Sequence, residues 1–96
     1  MPKGYWILHV TVNDAAAYAE YVAKDTPIIE ALGGRFLVRG GQAEVPEGET
    51  LNRHVVIEFP SFAAAKAAYH DPAYQEVAQI RFANATSTAI IVEGHQ

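Results

Sequence analysis

Hydrophobic and polar positions alternate from Tyr5 to Val12, which is typical of a β-strand with two different faces. One face is wholly apolar and suits a protein core, whereas the other is mixed and includes a histidine. The two sets are Trp6, Leu8, Val10 and Val12, and Tyr5, Ile7, His9 and Thr11. The strand is therefore predicted to pack one face into the core, and the function of its second face becomes the main question.

A helix is predicted after this strand. Asn13-Asp14 supplies its N-cap, because a short side-chain oxygen accepts hydrogen bonds from the first free amides. Apolar residues then recur every three or four positions as far as Gly33-Gly34, where glycine permits the conformation that ends a helix. Asp25 lies in this apolar stripe and is a candidate buried carboxylate. Because Thr26-Pro27 interrupts a regular helix, we instead expect Asp25 or Thr26 to cap the chain again after a kink.

Three more strands and a second helical region are predicted downstream. The longest turn-rich segment, from Gln42 to Asn52, is predicted to be a hairpin loop. The second helical region begins after Pro60-Ser61 and restarts at Pro72, with Asp71 as the new cap. The three strands are Arg35 to Arg39, Arg53 to Phe59 and about Thr86 to Glu93.

This order of elements predicts an α+β protein with the ferredoxin-like βαββαβ arrangement, as one domain over residues 1–96. In that arrangement both helical regions cover one face of a four-stranded antiparallel sheet. The other face is expected to be bare and to carry Tyr5, Ile7, His9, Thr11, Arg35, Leu37, Arg39, His54, Val56, Glu58, Ile90 and Val92.

A bare face with this composition predicts a partner. It is too apolar to be fully solvated and too polar for an ordinary core, and two copies packed sheet to sheet would bury it around a shared cavity. We therefore expect a homodimer, in the form of a homodimeric α+β barrel.

Charge and composition exclude several classes of partner and site. The formal net charge is -4, without a cluster of Lys or Arg, so a nucleic-acid or anionic-membrane surface is not expected. The chain has no cysteine, which excludes disulfides, thiolate metal sites and a cysteine nucleophile. No membrane-length apolar run and no signal segment are recognisable, so a cytoplasmic protein is expected.

A series of short motifs runs along nearly the whole chain: Tyr18, Tyr21, Gly33-Gly34, Arg39-Gly40-Gly41, Glu47-Gly48, the stretch from Arg53 to Ser61, Tyr69, Pro72, Tyr74-Gln75, Arg81 and Val92-Glu93-Gly94. In this order the motifs resemble the family known as domain of unknown function 1330, within the dimeric α+β barrel superfamily. The chain departs from that pattern at Thr50 and Leu51, where an aromatic is expected, and at Asp71, where a serine is expected. The resemblance implies a dimeric barrel and no established catalytic set.

The candidate catalytic residues are His9, His54 and Glu58. The first and third strands are neighbours in this topology, so these side chains are expected on one surface. A carboxylate beside an imidazole would orient the ring and raise its basicity, as a general base requires. The alternative is that His9 is a structural histidine whose ring is satisfied by hydrogen bonds. No metal site and no cofactor are expected, because two histidines and one glutamate on strands match no known ligand spacing.

The candidate ligand-binding residues lie on the same face and combine apolar and cationic groups. An arginine could hold an acidic or enolate ligand, or could pair with acidic residues at the dimer interface. These residues are Tyr5, Ile7, Arg35, Leu37, Arg39 and Val56.

Three functions remain open from the sequence. The first is binding of a small, partly apolar, oxygen-bearing molecule inside the barrel. The second is cofactor-independent acid/base catalysis of the isomerase or monooxygenase type, in which His9 or His54 takes a proton. The third is a structural dimerisation module without a ligand.

Outside this face, Arg81 is expected in a surface salt bridge, and the helix tyrosines are expected to have solvated hydroxyls.

Overall fold

Four strands and three helices make up the computed structural model, which describes residues 1–96. The ferredoxin-like prediction is confirmed, and the second helical region is divided at Asp71 as expected. The elements are β1 (Gly4–Val12), α1 (Ala15–Ala31), β2 (Arg35–Arg39), β3 (Arg53–Phe59), α2 (Phe62–Tyr69), α3 (Pro72–Asn84) and β4 (Ala85–Glu93).

The strands form one antiparallel sheet in the order β2-β3-β1-β4, with all three helices on one side. The Cα atoms extend over 37 × 35 × 17 Å, a thickness that holds one sheet layer and one helix layer. The second face of the sheet is therefore uncovered, and it is called the open face below. No helix is long and apolar enough to span a membrane.

The core lies entirely between the sheet and the helices. Its 13 buried apolar residues come from the apolar sides of β1 and β3 and from the helices. Trp6 is only 1% exposed, packs against Phe59 and Tyr74, and donates a hydrogen bond from Nε1 to the Ala65 carbonyl at 2.7 Å. The open face contributes no residue to this core, so it is free to serve another purpose.

Helix α1 is continuous through Pro27 and is not capped again at Asp25 or Thr26, which corrects the sequence expectation. Its cap is the expected one, since Asp14 accepts a hydrogen bond from the Ala17 amide at 3.1 Å. The helix then continues through Pro27 to Ala31. Proline removes the backbone donor to the Ala23 carbonyl, and beside it the Thr26 hydroxyl donates to the Val22 carbonyl at 2.7 Å. Asp25 therefore stays in the helix, where it is buried.

A second correction concerns Arg81 and two of the tyrosines, which are buried rather than solvated. Arg81 is 2% exposed and donates to the Ser87 hydroxyl, with its guanidinium 4.9 Å from the centroid of the Phe82 ring. The hydroxyls of Tyr21 and Tyr74 hydrogen-bond to each other at 2.8 Å. Burial raises the pKa of both phenols above the ordinary value, so they stay protonated.

Replacing Tyr21 with phenylalanine is expected to lower the free energy of unfolding by about 1–2 kcal/mol, because the buried Tyr74 hydroxyl would lose its partner. Chemical denaturation measures this change. Tyr69→Phe is the matched control, since its hydroxyl forms no such pair, and an equal loss in both variants would contradict the assigned role of the hydrogen bond.

Candidate functional site

The open face is organised in rows that run across the strands. Its central row is apolar, because Val38 pairs with Val56, Val56 with Ile7, and Ile7 with Ile90. This apolar row crosses all four strands, and its outer members Val38 and Ile90 are 43% and 45% exposed. A continuous apolar row of this kind on a surface is typical of an interface.

A polar row lies beside the apolar row and contains two histidines. His9 on β1 pairs directly with His54 on β3 and, on its other side, with Thr88 on β4. The Nδ1 atoms of the two imidazoles are 2.8 Å apart, and their rings meet at 74°. The sequence placed both histidines on one surface, and the antiparallel register brings them into contact.

This contact defines what the histidine pair can do chemically. One Nδ1 must donate and the other accept, so the donating ring carries a free lone pair on Nε2 and the accepting ring carries a proton there. The neutral pair thus offers one basic nitrogen and one N–H donor. A first added proton leaves the hydrogen bond intact, whereas a second breaks it. The pair can therefore take up and return a single proton.

A cleft of about 700 Å³ opens beside His9. Its floor is His9 and Thr88 of the sheet, and its wall is the segment from Gln42 to Asn52 that connects β2 and β3. This volume lies within the usual range for small-molecule pockets. The wall residues are Val45, Glu47, Glu49, Thr50 and Leu51.

Glu58 does not accompany the histidines, contrary to the expected arrangement. It lies opposite Tyr5, whose hydroxyl donates to Glu58 Oε2 at 3.3 Å. Four residues of β3 separate it from His54, which is roughly 13 Å along an extended strand. Partial burial, followed by the charge and hydrogen bond of Glu58, raises the pKa of Tyr5, so this phenol stays protonated at neutral pH.

Arg39 is also absent from the open face, and a β-bulge is the reason. Phe36 pairs with Ile57, but Val38 rather than Leu37 pairs with Val56, so the strand shifts by one residue at Leu37. The shift points Arg39 to the helix side, where its guanidinium donates to Asp25 at 2.9 Å. The expectation that Arg35 and Arg39 share one face is therefore wrong.

The ion pair explains how the carboxylate of Asp25 is accommodated in this region. Asp25 is 3% exposed and lies within the helix layer. Burial raises the pKa of its carboxyl, and the opposing attraction of Arg39 lowers it again, with a net rise. A second arginine nitrogen donates to the Thr26 hydroxyl at 2.8 Å. Arg39 and Asp25 thus form a structural pair that tethers β2 to α1.

The other predicted residues fall into two groups. Ile7 and Val56 lie in the apolar row, next to the histidines. Arg35 and Tyr5 lie with Glu58 at the far end of the open face, and Leu37 is the exposed residue of the bulge. The sequence reasoning did not propose the other polar residues of the cleft as site residues, namely Glu47, Glu49, Thr50 and Thr88.

A family model described as a domain of unknown function (DUF1330) matches residues 3–95. The resemblance noted in the sequence is therefore confirmed over nearly the whole chain. No curated protein is significantly similar to the chain in sequence.

Solved structures confirm the fold. A protein of unknown function from Rhodopseudomonas palustris is 25% identical, with a TM-score of 0.79 over 99% of this chain and 84% of its own. SnoaB, a cofactor-independent oxygenase from Streptomyces nogalater, is 17% identical, with a TM-score of 0.68 over 100% and 96% of the two chains. A dimeric protein of unknown function with a ferredoxin-like fold, from Bacteroides fragilis, is 17% identical, with a TM-score of 0.57 over 95% of each chain.

Proposed function

Because this chain belongs to the family described as a domain of unknown function (DUF1330), we propose its function from its own geometry. The protein forms a homodimer through its open face and binds a small, partly apolar molecule in the cleft beside His9. The observation that carries this function is the His9–His54 hydrogen bond at the edge of that cleft.

The apolar row supports the dimer. Val38, Val56, Ile7 and Ile90 expose a continuous apolar strip, and a second copy would remove it from water. Pairing two such strips leaves the histidine row beside the seam rather than in it. The Bacteroides fragilis protein of the same fold is described as dimeric.

The composition of the cleft supports ligand binding. Binding sites combine apolar walls with a few convergent polar groups, and here Val45 and Leu51 are apolar while His9, Thr50 and Thr88 are polar. The direct contact of the two imidazoles fixes both rings at the edge of the cleft, where a ligand could use the remaining donor and acceptor.

Acid/base catalysis without a cofactor is the second candidate function, and the histidine pair favours it. The free Nε2 lone pair of one ring could accept a proton from an activated carbon, and the second ring would stabilise the resulting imidazolium through the Nδ1 hydrogen bond. SnoaB, which shares the fold, is described as a cofactor-independent oxygenase. Glu58 has no part in this version, because it is bonded to Tyr5.

Replacing His9 with alanine is expected to abolish ligand binding while the protein stays dimeric and its free energy of unfolding falls by about 1 kcal/mol or less. Native mass spectrometry of the freshly purified protein measures both the assembly and any retained compound. NMR titration with hydrocinnamylamine, hydrocinnamyl alcohol and hydrocinnamate measures binding directly. His70→Ala is the matched control, because that histidine is exposed at the end of α2.

The outcomes separate the three functions. Loss of binding in His9→Ala with an intact dimer supports the site, and loss of turnover on a retained compound would support catalysis. Dissociation of the His9→Ala dimer would indicate a structural interface histidine instead. A wild-type dimer that retains no compound and responds to none of the three probes would contradict the binding function.

A further inference from the structure

The cleft beside His9 has the opposite charge to the one that the sequence suggested. Glu47 and Glu49 both line it, and no lysine or arginine does. Neither glutamate forms an ion pair within the protein. At neutral pH the wall therefore brings two negative charges to one side of the cleft.

The two arginines that could have balanced these charges lie elsewhere. The bulge at Leu37 turns Arg39 to the helix side, where Asp25 and Thr26 hold it. Arg35 pairs in register with Glu58, roughly 13 Å along β3 from His54. An acidic ligand at His9 would thus meet no guanidinium.

The histidine pair cannot reverse the sign of the cleft. While the Nδ1–Nδ1 hydrogen bond of His9 and His54 persists, the two rings carry at most one positive charge between them. Two ionised carboxylates outweigh one shared proton, so the cleft stays negative at neutral pH as long as this contact persists.

We infer that the cleft beside His9 selects a primary ammonium group attached to an apolar body. This inference rests on the proposed binding function and specifies its ligand class. An ammonium group has three donors and no acceptor. The cleft offers it matching acceptors, namely the carboxylates of Glu47 and Glu49, the hydroxyls of Thr50 and Thr88, and the basic nitrogen of the histidine pair.

The apolar body of the ligand would lie against Val45 and Leu51, the two apolar residues of the cleft. A ligand with an ammonium group and an apolar body gains binding free energy from both charge attraction and apolar burial. An anion with the same body would lose the attraction and meet two like charges. The order of affinity should therefore be amine, then alcohol, then carboxylate.

Three probes of one shape test the inference on the whole wild-type protein. Hydrocinnamylamine, hydrocinnamyl alcohol and hydrocinnamate share the phenylpropyl body and differ only in the terminal group. NMR titration should show backbone shifts at His9 and Thr88 in all cases, with the amine binding about tenfold more tightly than the alcohol and the carboxylate binding most weakly. Raising the ionic strength from about 0.02 M to about 0.5 M should reduce the preference for the amine.

The double variant Glu47→Gln/Glu49→Gln should lose the preference for the amine over the alcohol. Glu44→Gln is the matched control, because Glu44 belongs to the same segment but does not line the cleft, and it should keep most of the preference. All three residues of this comparison lie outside the core, so the variants are expected to fold.

Each result decides a separate point. Equal affinity for amine and alcohol, or tighter binding of the carboxylate, would overturn the ammonium inference while leaving the proposed binding function standing. An equal loss of preference in Glu44→Gln would also overturn it, since the net charge rather than the cleft would then be responsible. No response to any probe would overturn both the inference and the binding function.

Discussion

Replacing Arg39 with methionine is expected to lower the free energy of unfolding by about 3 kcal/mol at neutral pH. The substitution removes the only ion-pair partner of Asp25, whose side chain is 4% exposed, and leaves a buried carboxylate without a counter-charge. It also removes the hydrogen bond to the Thr26 hydroxyl. Because the Arg39 side chain is itself 24% exposed, the loss should fall at the lower end of the range for buried pairs.

The loss of stability in Arg39→Met should become smaller as the pH falls. Burial already raises the pKa of Asp25 above its ordinary value, and Arg39 opposes that rise, so the variant should raise this pKa further. A carboxyl whose folded pKa exceeds its unfolded pKa destabilises the protein most above the folded pKa. The penalty declines as pH falls through the folded pKa towards the unfolded one. Arg39→Met should therefore recover part of its lost stability between pH 7 and about pH 4.5, more than the wild type gains.

Two further variants test whether the ion pair causes this loss, when their free energies of unfolding are compared with that of Arg39→Met by chemical denaturation. Arg35→Met removes the same charge from the open face and should change stability by less than about 1 kcal/mol. Asp25→Asn/Arg39→Met removes both charges and should be more stable than Arg39→Met at neutral pH, with little of its pH dependence. A pH-independent loss in Arg39→Met, or an equal loss in Arg35→Met, would show that the ion pair is not the cause.

Replacing Ile7 with aspartate is expected to weaken the dimer by about 30-fold to 1,000-fold in dissociation constant. Ile7 occupies the middle of the apolar row, between Val56 and Ile90, so a charge there would be desolvated at the centre of the seam. The monomer fold should survive, because Ile7 is on the open face and outside the core. Sedimentation equilibrium measures the association, and circular dichroism measures the fold.

Thr11→Asp is the matched control for this variant. Thr11 lies on the same strand and the same face, beyond the histidine row, and pairs with Thr86 rather than with an apolar residue. An added charge there should weaken the dimer by less than about fivefold, since rim charges contribute little. Equal weakening by both variants would place the interface somewhere other than the apolar row.

The arrangement of elements could be predicted from the sequence because its signals are local. Alternation in β1 and β3, the Asp14 cap, the glycines after α1 and the Asp71-Pro72 restart each depend on neighbouring residues only. Together these signals give the order of elements along the chain, and the ferredoxin-like arrangement of that order leaves one face of the sheet without helices. The pairing of His9 with His54 also follows once β1 and β3 are neighbours, although its register does not.

The errors arose where a distant contact outweighed a local rule. Pro27 predicts an interrupted helix with a new cap at Asp25 or Thr26, yet the helix is continuous and both residues contact Arg39 instead. Strict alternation in β2 places Arg39 on the open face, but the bulge at Leu37 shifts the strand by one residue and reverses this placement. No pattern within β2 itself marks that bulge.

The wall of the cleft could have been anticipated in part. The segment from Gln42 to Asn52 contains Glu44, Glu47 and Glu49 without a lysine or arginine, which already marks an acidic loop. What the sequence could not show is that this loop folds back beside His9 and Thr88. A long connection without regular structure has no period from which its position can be predicted.

An isotope-filtered NMR experiment on a mixture of labelled and unlabelled wild-type protein tests the central claim most directly, namely that two open faces meet. The account predicts intermolecular contacts from the methyl groups of Ile7, Val56 and Ile90 to the second copy. Phe62 and Phe82, which are 38% and 46% exposed on the helix side, provide the internal comparison and should show none. Absence of contacts at the apolar row, or contacts confined to those phenylalanines, would contradict the account.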